Sequence, residues 1–183
     1  MKIFLLRHTQ TSDSASHVNG SRRDLHLSVN GIQQANDLIP SLEKNLYDMI
    51  FVSPLARSYE TVEPYIKKAK FKHPILKDEL LNERDLGIYT GTKEGIVAAE
   101  MSKGGQQKVE WIPKGGESTR MVYERAQLFY QKLKKISVDS VLVCAHQNIL
   151  RCLELIIMNL PLTDDNYYNY VPPRLDYGEI REF

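Results

Sequence analysis

Only two cysteines occur in the 183 residues. Cys144 sits in SVLVCAH and Cys152 in ILRCLELII, and neither has the spacing of a redox pair or a zinc site. A disulfide scaffold is therefore excluded, and two thiols in apolar surroundings suit a reducing cytoplasm. No apolar run approaches the ~18 residues of a membrane span. The opening MKIFLLRHTQ offers only IFLL before the charged Arg7, without a small-residue cleavage site, so it does not read as a signal peptide. Charge of one sign is also lacking: 24 Lys and Arg against 23 Asp and Glu leave a net +1. No global field draws the chain to nucleic acid or to an anionic membrane, and any anion binding must be local. No Gly-x-Gly-x-x-Gly follows the first apolar run, which argues against a dinucleotide-binding protein. His8, His17, His26 and His146 lack the spacings and carboxylate partners of a metal site, which argues against a metal-dependent hydrolase. The reading is a cytoplasmic protein with no metal and no cofactor.

What is present is an alternation of short apolar runs and amphipathic stretches, with no internal repeat or linker, which favours one domain over residues 1–183. A chain of this size buries roughly 70% of its unfolded surface. Lys2–Leu6, Met49–Val52 and Val141–Ala145 are nearly continuous apolar runs, as strands buried on both faces of a parallel sheet require. His73–Lys77 and Gly178–Phe183 are weaker strands, expected near the edges. Ser28 is placed to cap a helix with Ile32, Ala35, Leu38 and Leu42 on one face, bent or ended by Pro40. Leu55, Tyr59, Val62, Ile66 and Ala69 mark a second helix with Pro64 as an irregularity. Val122, Ala126, Phe129, Leu133 and Ile136 mark a third, with Ser118 as its cap. A last helix over Asn148–Met158 is apolar nearly all round. The segment from Gly87 to Gly116 breaks the rhythm and is expected over one end of the sheet. The fold class predicted is α/β: a three-layer α/β/α sandwich with a mostly parallel central sheet.

In such sheets ligands bind at the carboxyl ends of the strands. Arg7 and His8 follow the first strand, Ser53, Pro54 and Arg57 the second, and His146 ends the Val141–Ala145 strand. Topology thus delivers two Arg and two His to one end of the sheet. Guanidiniums match phosphate oxygens in pairs, and a helix N-terminus after His146 adds oriented N–H groups. An imidazole between two permanent cations has its protonated form disfavoured, so it stays a neutral nucleophile. A phosphoryl pocket is the chemistry these residues suit. Taken singly, each has a plainer reading: a surface ion pair for Arg7 or Arg57, a structural histidine for His8 or His146, a solvated loop acid for Glu83.

LLRHTQT resembles the Arg-His-Gly-Glu-Thr signature of the histidine phosphatase (phosphoglycerate-mutase-like) superfamily. GSRRDLHLSVNGIQQA, SPLARSYETVE, LNERDLGIYTG, KGGESTRMVYER and VCAHQNILR are similar to further elements of that family, in its order, from residue 3 to about 151. The resemblance implies a phosphoglycerate-mutase-like fold, with His8 as phospho-acceptor, Arg7, Arg57 and His146 on the transferred phosphoryl group, and Glu83 as proton donor. A carboxyl beside a phosphate dianion is favoured in its protonated form, which fits that role. Gln10, Arg22 and Gln147 are further candidates for substrate contact. Thr9, Gln10 and Gln147 depart from the family's usual Gly, Glu and Gly. HQNILRCL is similar to the fructose-2,6-bisphosphatase branch, whereas Glu83–Gly87 and Asn148 resemble the mutases.

The expected activity is metal-independent hydrolysis of a small phosphorylated substrate through phospho-His8. Two alternatives stand beside it: a phosphoglycerate mutase, for which the stretch 87–115 offers a short cover, and a non-enzymatic phosphate- or phosphoprotein-binding module. The loops after residues 11 and 87 and the tail TDDNYYNYVPPRLDYG are expected to set the substrate, while oligomeric state is open.

Overall fold

The computed structural model describes residues 1–103, 105–169 and 172–183. Its centre is one sheet of β1 (Lys2–Arg7), β2 (Met49–Val52), β3 (Ile75–Lys77), β4 (Ser140–Ala145) and β5 (Ile180–Glu182), in the order β3-β2-β4-β1-β5. β1, β4, β2 and β3 run parallel, and β5 adds antiparallel to the free side of β1. Both weaker strands are the edges, as the sequence indicates. In register, Arg7 pairs with Ala145 and Val52 with Cys144. The residues that follow, His8, Ser53 and His146, therefore leave the sheet at nearly one level.

Alternate residues of each strand enter different cores, because successive side chains point to opposite faces. Ile3, Leu5, Val141, Val143 and Ala145 pack with Val122, Ala126, Phe129 and Leu133 of α6 (Thr119–Leu133) and Ile149, Leu150 and Leu153 of α7 (Gln147–Ile157). Phe4, Leu6, Ile50, Val52, Leu142 and Cys144 pack on the other face. Their partners are Val62 and Tyr65 of α4 (Ala56–Ala69) and Leu42 of α3 (Ile39–Leu42). Two covered faces explain why the strand sequences are apolar throughout rather than alternating. The architecture is the three-layer α/β/α sandwich with a mostly parallel sheet.

The helices depart from expectation in instructive places. α2 (Val29–Asp37) is capped by Ser28, whose Oγ accepts from Gly31 N at 3.0 Å. Its Ile32, expected on the buried face, is 53% exposed, and Gly31 and Ala35 are buried instead. Small residues face inward here because the helix backbone comes very close to residue 10: a Cβ on Gly31 would stand 1.9 Å from Gln10 O. Pro40 does not bend α2 but lies in the first turn of α3, where its missing N–H costs no helix bond. Pro64 is accommodated inside α4. The segment after Gly87 carries α5 (Ile96–Lys103), and the tail carries α8 (Asp164–Tyr168), neither of which the periodicity marks. The remaining helix, α1 (Ser12–Ala15), is a single turn capped by Thr11.

No helix among the described residues is long and apolar enough to cross a membrane. Both cysteines are unpaired and buried, and burial raises both thiols.

Candidate active site

His8 continues β1 by one residue, donating its backbone N–H to Ala145 O at 3.0 Å. Its side chain is 7% exposed. Nδ1 lies 2.7 Å from Thr9 O. A carbonyl only accepts, so Nδ1 carries the hydrogen and the neutral ring leaves its lone pair on Nε2. Burial, then the charges of Arg57 and Arg7, hold the imidazole well below its ordinary pKa. The Thr9 bond opposes them weakly.

Arg7 is fixed from the tail. Its Nη1 donates to Leu175 O at 3.0 Å and its guanidinium carbon lies 3.6 Å from the centre of the Tyr177 ring. Its Nε is buried without a hydrogen-bond partner among the described residues. Such a group in a native interior costs about 1–3 kcal/mol, and Arg7 lines the cleft beside His8. Arg57 projects from the first turn of α4, whose Ala56 N–H is capped from a distance by Asp24 Oδ1 at 2.7 Å. Its Nη1 and Nη2 donate to Arg23 O at 2.7 Å and Ser21 O at 2.8 Å, and its Nε to His146 Nδ1 at 3.2 Å. The sequence suggests a free fork for phosphate, but the structure ties both terminal nitrogens to carbonyls of the 21–23 loop. His146 sits at the end of β4, its ring 5.0 Å from that of His8, with Nε2 2.8 Å from Ser53 Oγ. Burial, followed by Arg57 and His8, holds its imidazole well below the usual value.

Glu83 closes the constellation. Its Oε1 accepts from Arg84 N at 2.7 Å, and its two oxygens lie 3.3 and 3.4 Å from Asn148 N in the first turn of α7. A carboxylate at a helix N-terminus is favoured by the N–H groups there. The helix end that the sequence assigns to a phosphate thus presents its Asn148 N–H to Glu83.

Arg7, His8, Arg57, Glu83 and Gln147 line one cleft of about 100 Å³. His146 stands immediately behind it. Gln10 and Arg22 do not line it. Gln10 Oε1 accepts from Ser28 Oγ and Asn30 Nδ2, and Arg22 donates to Glu117 Oε1 at 2.8 Å and Glu83 O at 3.1 Å.

The neighbouring motif residues hold this geometry. Gln10 N donates to Gln34 Oε1, and Ser28 N to Gln10 O, while Gly31 allows the close approach. Thr61 Oγ1 accepts from Thr9 N at 3.0 Å and donates to Arg57 O at 2.8 Å, linking the loop after His8 to α4. Thr9, the residue in place of glycine, does not crowd the cleft: it is fully buried and its methyl faces Gly178. Glu117 joins Arg22, Arg125 and the Asp85 N–H, which fixes the loop carrying Glu83. Arg151 is built into the tail through Tyr167 O, Asn166 O and Glu154. Tyr177 is the site residue that sequence reasoning passes over, since a lone tyrosine in a polar tail carries no periodic or motif signal.

A sequence profile of the histidine phosphatase superfamily, branch 1, matches residues 3–173. The chain belongs to this superfamily. Among curated relatives of this histidine phosphatase chain, a 2,3-bisphosphoglycerate-dependent phosphoglycerate mutase of Cytophaga hutchinsonii is 29% identical, with 82% of this chain and 74% of the relative covered. Phosphoserine phosphatase 1 of Hydrogenobacter thermophilus is 26% identical over 89% of this chain and 79% of its own. Among solved structures, a mycobacterial glucosyl-3-phosphoglycerate phosphatase in complex with VO3 superimposes with a TM-score of 0.83 at 22% identity, covering 99% of this chain and 91% of that one. The α-ribazole phosphatase of Shigella flexneri gives 0.81 at 21% identity, covering 100% and 89%. These superpositions establish the histidine phosphatase fold over the whole length.

Proposed function

We propose that residues 1–183 act as one domain that hydrolyses a phosphomonoester through a phosphohistidine on His8. The observation that carries this reading is the Nδ1–Thr9 O contact, which leaves a buried, neutral imidazole with its lone pair on Nε2. In the first step Nε2 forms a bond to phosphorus as the ester P–O bond breaks, and the leaving alkoxide takes a proton from Glu83. In the second, water attacks phospho-His8, its proton passes to Glu83, and phosphate leaves with His8 neutral again. The Arg7 Nε donor and the charge of Arg57 stabilise the equatorial oxygens in transit. His146 acts through its bond to Arg57 and its position behind the nucleophile. The partner is a small phosphorylated compound, and two buried thiols suit work in the cytoplasm.

A second reading has a specific observation behind it, because the Cytophaga relative is named a phosphoglycerate mutase. The first chemical step is then shared, and the phosphoryl group returns to the substrate instead of to water. Rapid-quench labelling with a ³²P-phosphomonoester tests the common step: acid-labile label on wild type and none on His8→Ala is expected. Label that persists in His8→Ala overturns the assignment. Phosphate release from 3-phosphoglycerate, set against formation of 2-phosphoglycerate, separates hydrolysis from mutase transfer.

A further inference from the structure

The loop between the signature and α2 looks basic in sequence, yet each of its basic side chains ends beside a carboxylate. Arg22 meets Glu117 at 2.8 Å, Arg23 meets Asp13 at 2.7 Å, and His26 meets Glu60 at 2.5 Å. His17 Nδ1 stands 3.5 Å from Glu94 Oε2. None of the four lines the cleft. The cations that could have received a second anion on the substrate are therefore turned into the protein's own framework.

Glu94 itself does line the cleft. Its position is built by backbone pairing: Val18 bridges Lys93, Asn19 N donates to Thr92 O at 2.8 Å, and Glu94 N donates to His17 O at 2.8 Å. Two loops are stitched together along the rim, and the acid is delivered at the stitch. Most of the rest of that outer wall is uncharged, with Thr11, Ser14 and Asn19 offering hydroxyl and amide groups and Val18, Leu25 and Leu86 offering apolar edges. Arg84 is the one other charged lining residue among those described, apart from Arg7, Arg57 and Glu83. Its Nε and Nη2 are fastened to Glu117 O at 2.9 Å and Trp111 O at 3.2 Å, which holds the guanidinium in the wall. The charge of Glu94 reaches Arg7, where it opposes the lowering caused by burial.

A leaving group in this outer cleft meets hydrogen-bonding neutral groups, the Glu94 carboxylate, and an Arg84 guanidinium whose Nε and Nη2 are already taken by backbone carbonyls. We infer that Glu94 is a specificity-determining residue that selects against a leaving group carrying a second anion, so that the substrates are phosphomonoesters of uncharged or cationic alcohols. The inference rests on the phosphatase reading above and names the substrate class of that same cleft. Its physical basis is like-charge repulsion at a half-exposed site, which is moderate in water and sharpened where the cleft excludes solvent.

Three esters of similar size isolate the effect: glycerol 3-phosphate, 3-phosphoglycerate, in which a carboxylate replaces the hydroxymethyl group, and phosphoethanolamine, which carries an ammonium. Steady-state kcat/KM is measured for each with wild type, Glu94→Gln and Glu94→Lys, and with p-nitrophenyl phosphate as a common reference. The expected result is that wild type favours glycerol 3-phosphate and phosphoethanolamine over 3-phosphoglycerate. Glu94→Gln narrows that gap by about fivefold, the upper range for a half-exposed charge pair. Glu94→Lys closes or reverses it, through KM for 3-phosphoglycerate more than through kcat. Ratios are compared within each variant, so a general loss of activity cancels. Equal use of the neutral and carboxylate esters by wild type, or a ratio unmoved in Glu94→Lys, overturns the inference while leaving the phosphatase reading intact. Failure to hydrolyse any ester, p-nitrophenyl phosphate included, overturns both.

Discussion

Arg57 Nε donates to His146 Nδ1 at 3.2 Å, and this contact fixes which nitrogen of His146 holds the lone pair. A guanidinium has only donors, so Nδ1 must accept, and the hydrogen on Nε2 donates to Ser53 Oγ at 2.8 Å. His8 has the opposite arrangement, its hydrogen on Nδ1 bound to Thr9 O. The two rings are thus held in complementary tautomers 5.0 Å apart, one presenting a lone pair to the cleft and the other presenting one to an arginine.

Loss of Arg57 removes one of the two charges that keep His8 neutral and, in the proposed reaction, a positive charge beside the phosphoryl group. Arg57→Met is expected to lower kcat by roughly 10²–10³-fold, as for single oxyanion donors. Removing a nearby cation favours the protonated imidazole, so the acid limb of the kcat/KM profile should also move to higher pH. A profile from pH 4.5 to 8 that falls in amplitude without moving contradicts this coupling.

Glu83→Gln tests the proposed role of the carboxyl as proton donor. Alkyl phosphates, whose leaving alkoxide needs a proton, should lose about 10²–10⁴-fold in the first step. p-Nitrophenyl phosphate should lose far less, since its phenolate departs unaided. A Brønsted series of aryl and alkyl esters measures the difference, and equal losses across the series would argue that Glu83 is not the acid.

The buried histidines also couple folding to pH. Both have folded pKa values well below the ordinary 6.5, so between those values and 6.5 the unfolded chain binds more protons than the folded one. Stability from this source is fully present above pH 6.5 and is lost as pH falls toward the folded values. Urea midpoints should drop between pH 7.5 and 5.5, and the drop should shrink in His8→Asn.

Gly31→Ala tests the contact between α2 and the nucleophile's loop. The added Cβ would sit 1.9 Å from Gln10 O, so helix and loop must separate. The cost is about 1–3 kcal/mol of stability. Because Gln10 follows His8 and Thr9, kcat should fall as well, whereas Gly95→Ala, where a Cβ meets open space at positive φ, should affect stability alone. Thermal melts and p-nitrophenyl phosphate turnover on both variants check the contrast.

Much of this was legible because the sheet writes itself in short apolar runs bounded by polar turns. Lys2–Leu6, Met49–Val52 and Val141–Ala145 read as interior strands, and the placement of Arg7, His8, Arg57 and His146 at one end of the sheet follows from where those runs stop. The capped α6 stripe was equally plain, with Ser118 and the Val122–Leu133 spacing both local signals. Ile32 misled because a helix can turn glycine and alanine inward when its partner is a backbone rather than side chains. α5 and the tail helix α8 stayed hidden because one is short with a weak apolar stripe and the other is set by a Thr163 cap among tyrosines. The partners of Arg22 and Gln10 depend on residues as distant in sequence as Glu117, which no local pattern announces.

The tail's hold on Arg7 sets an order of assembly. Leu175 O receives the Arg7 guanidinium across a separation of 168 residues, and Gly178 N and Glu179 O bond the Arg7 backbone beside β5. A ribosome releases β1 well before these supports, so a growing chain carries His8 for a time without a finished pocket around it. The cleft around Arg7 is complete only when the later segment folds back across the sheet, a closure of long contact order that should be the slow event in refolding.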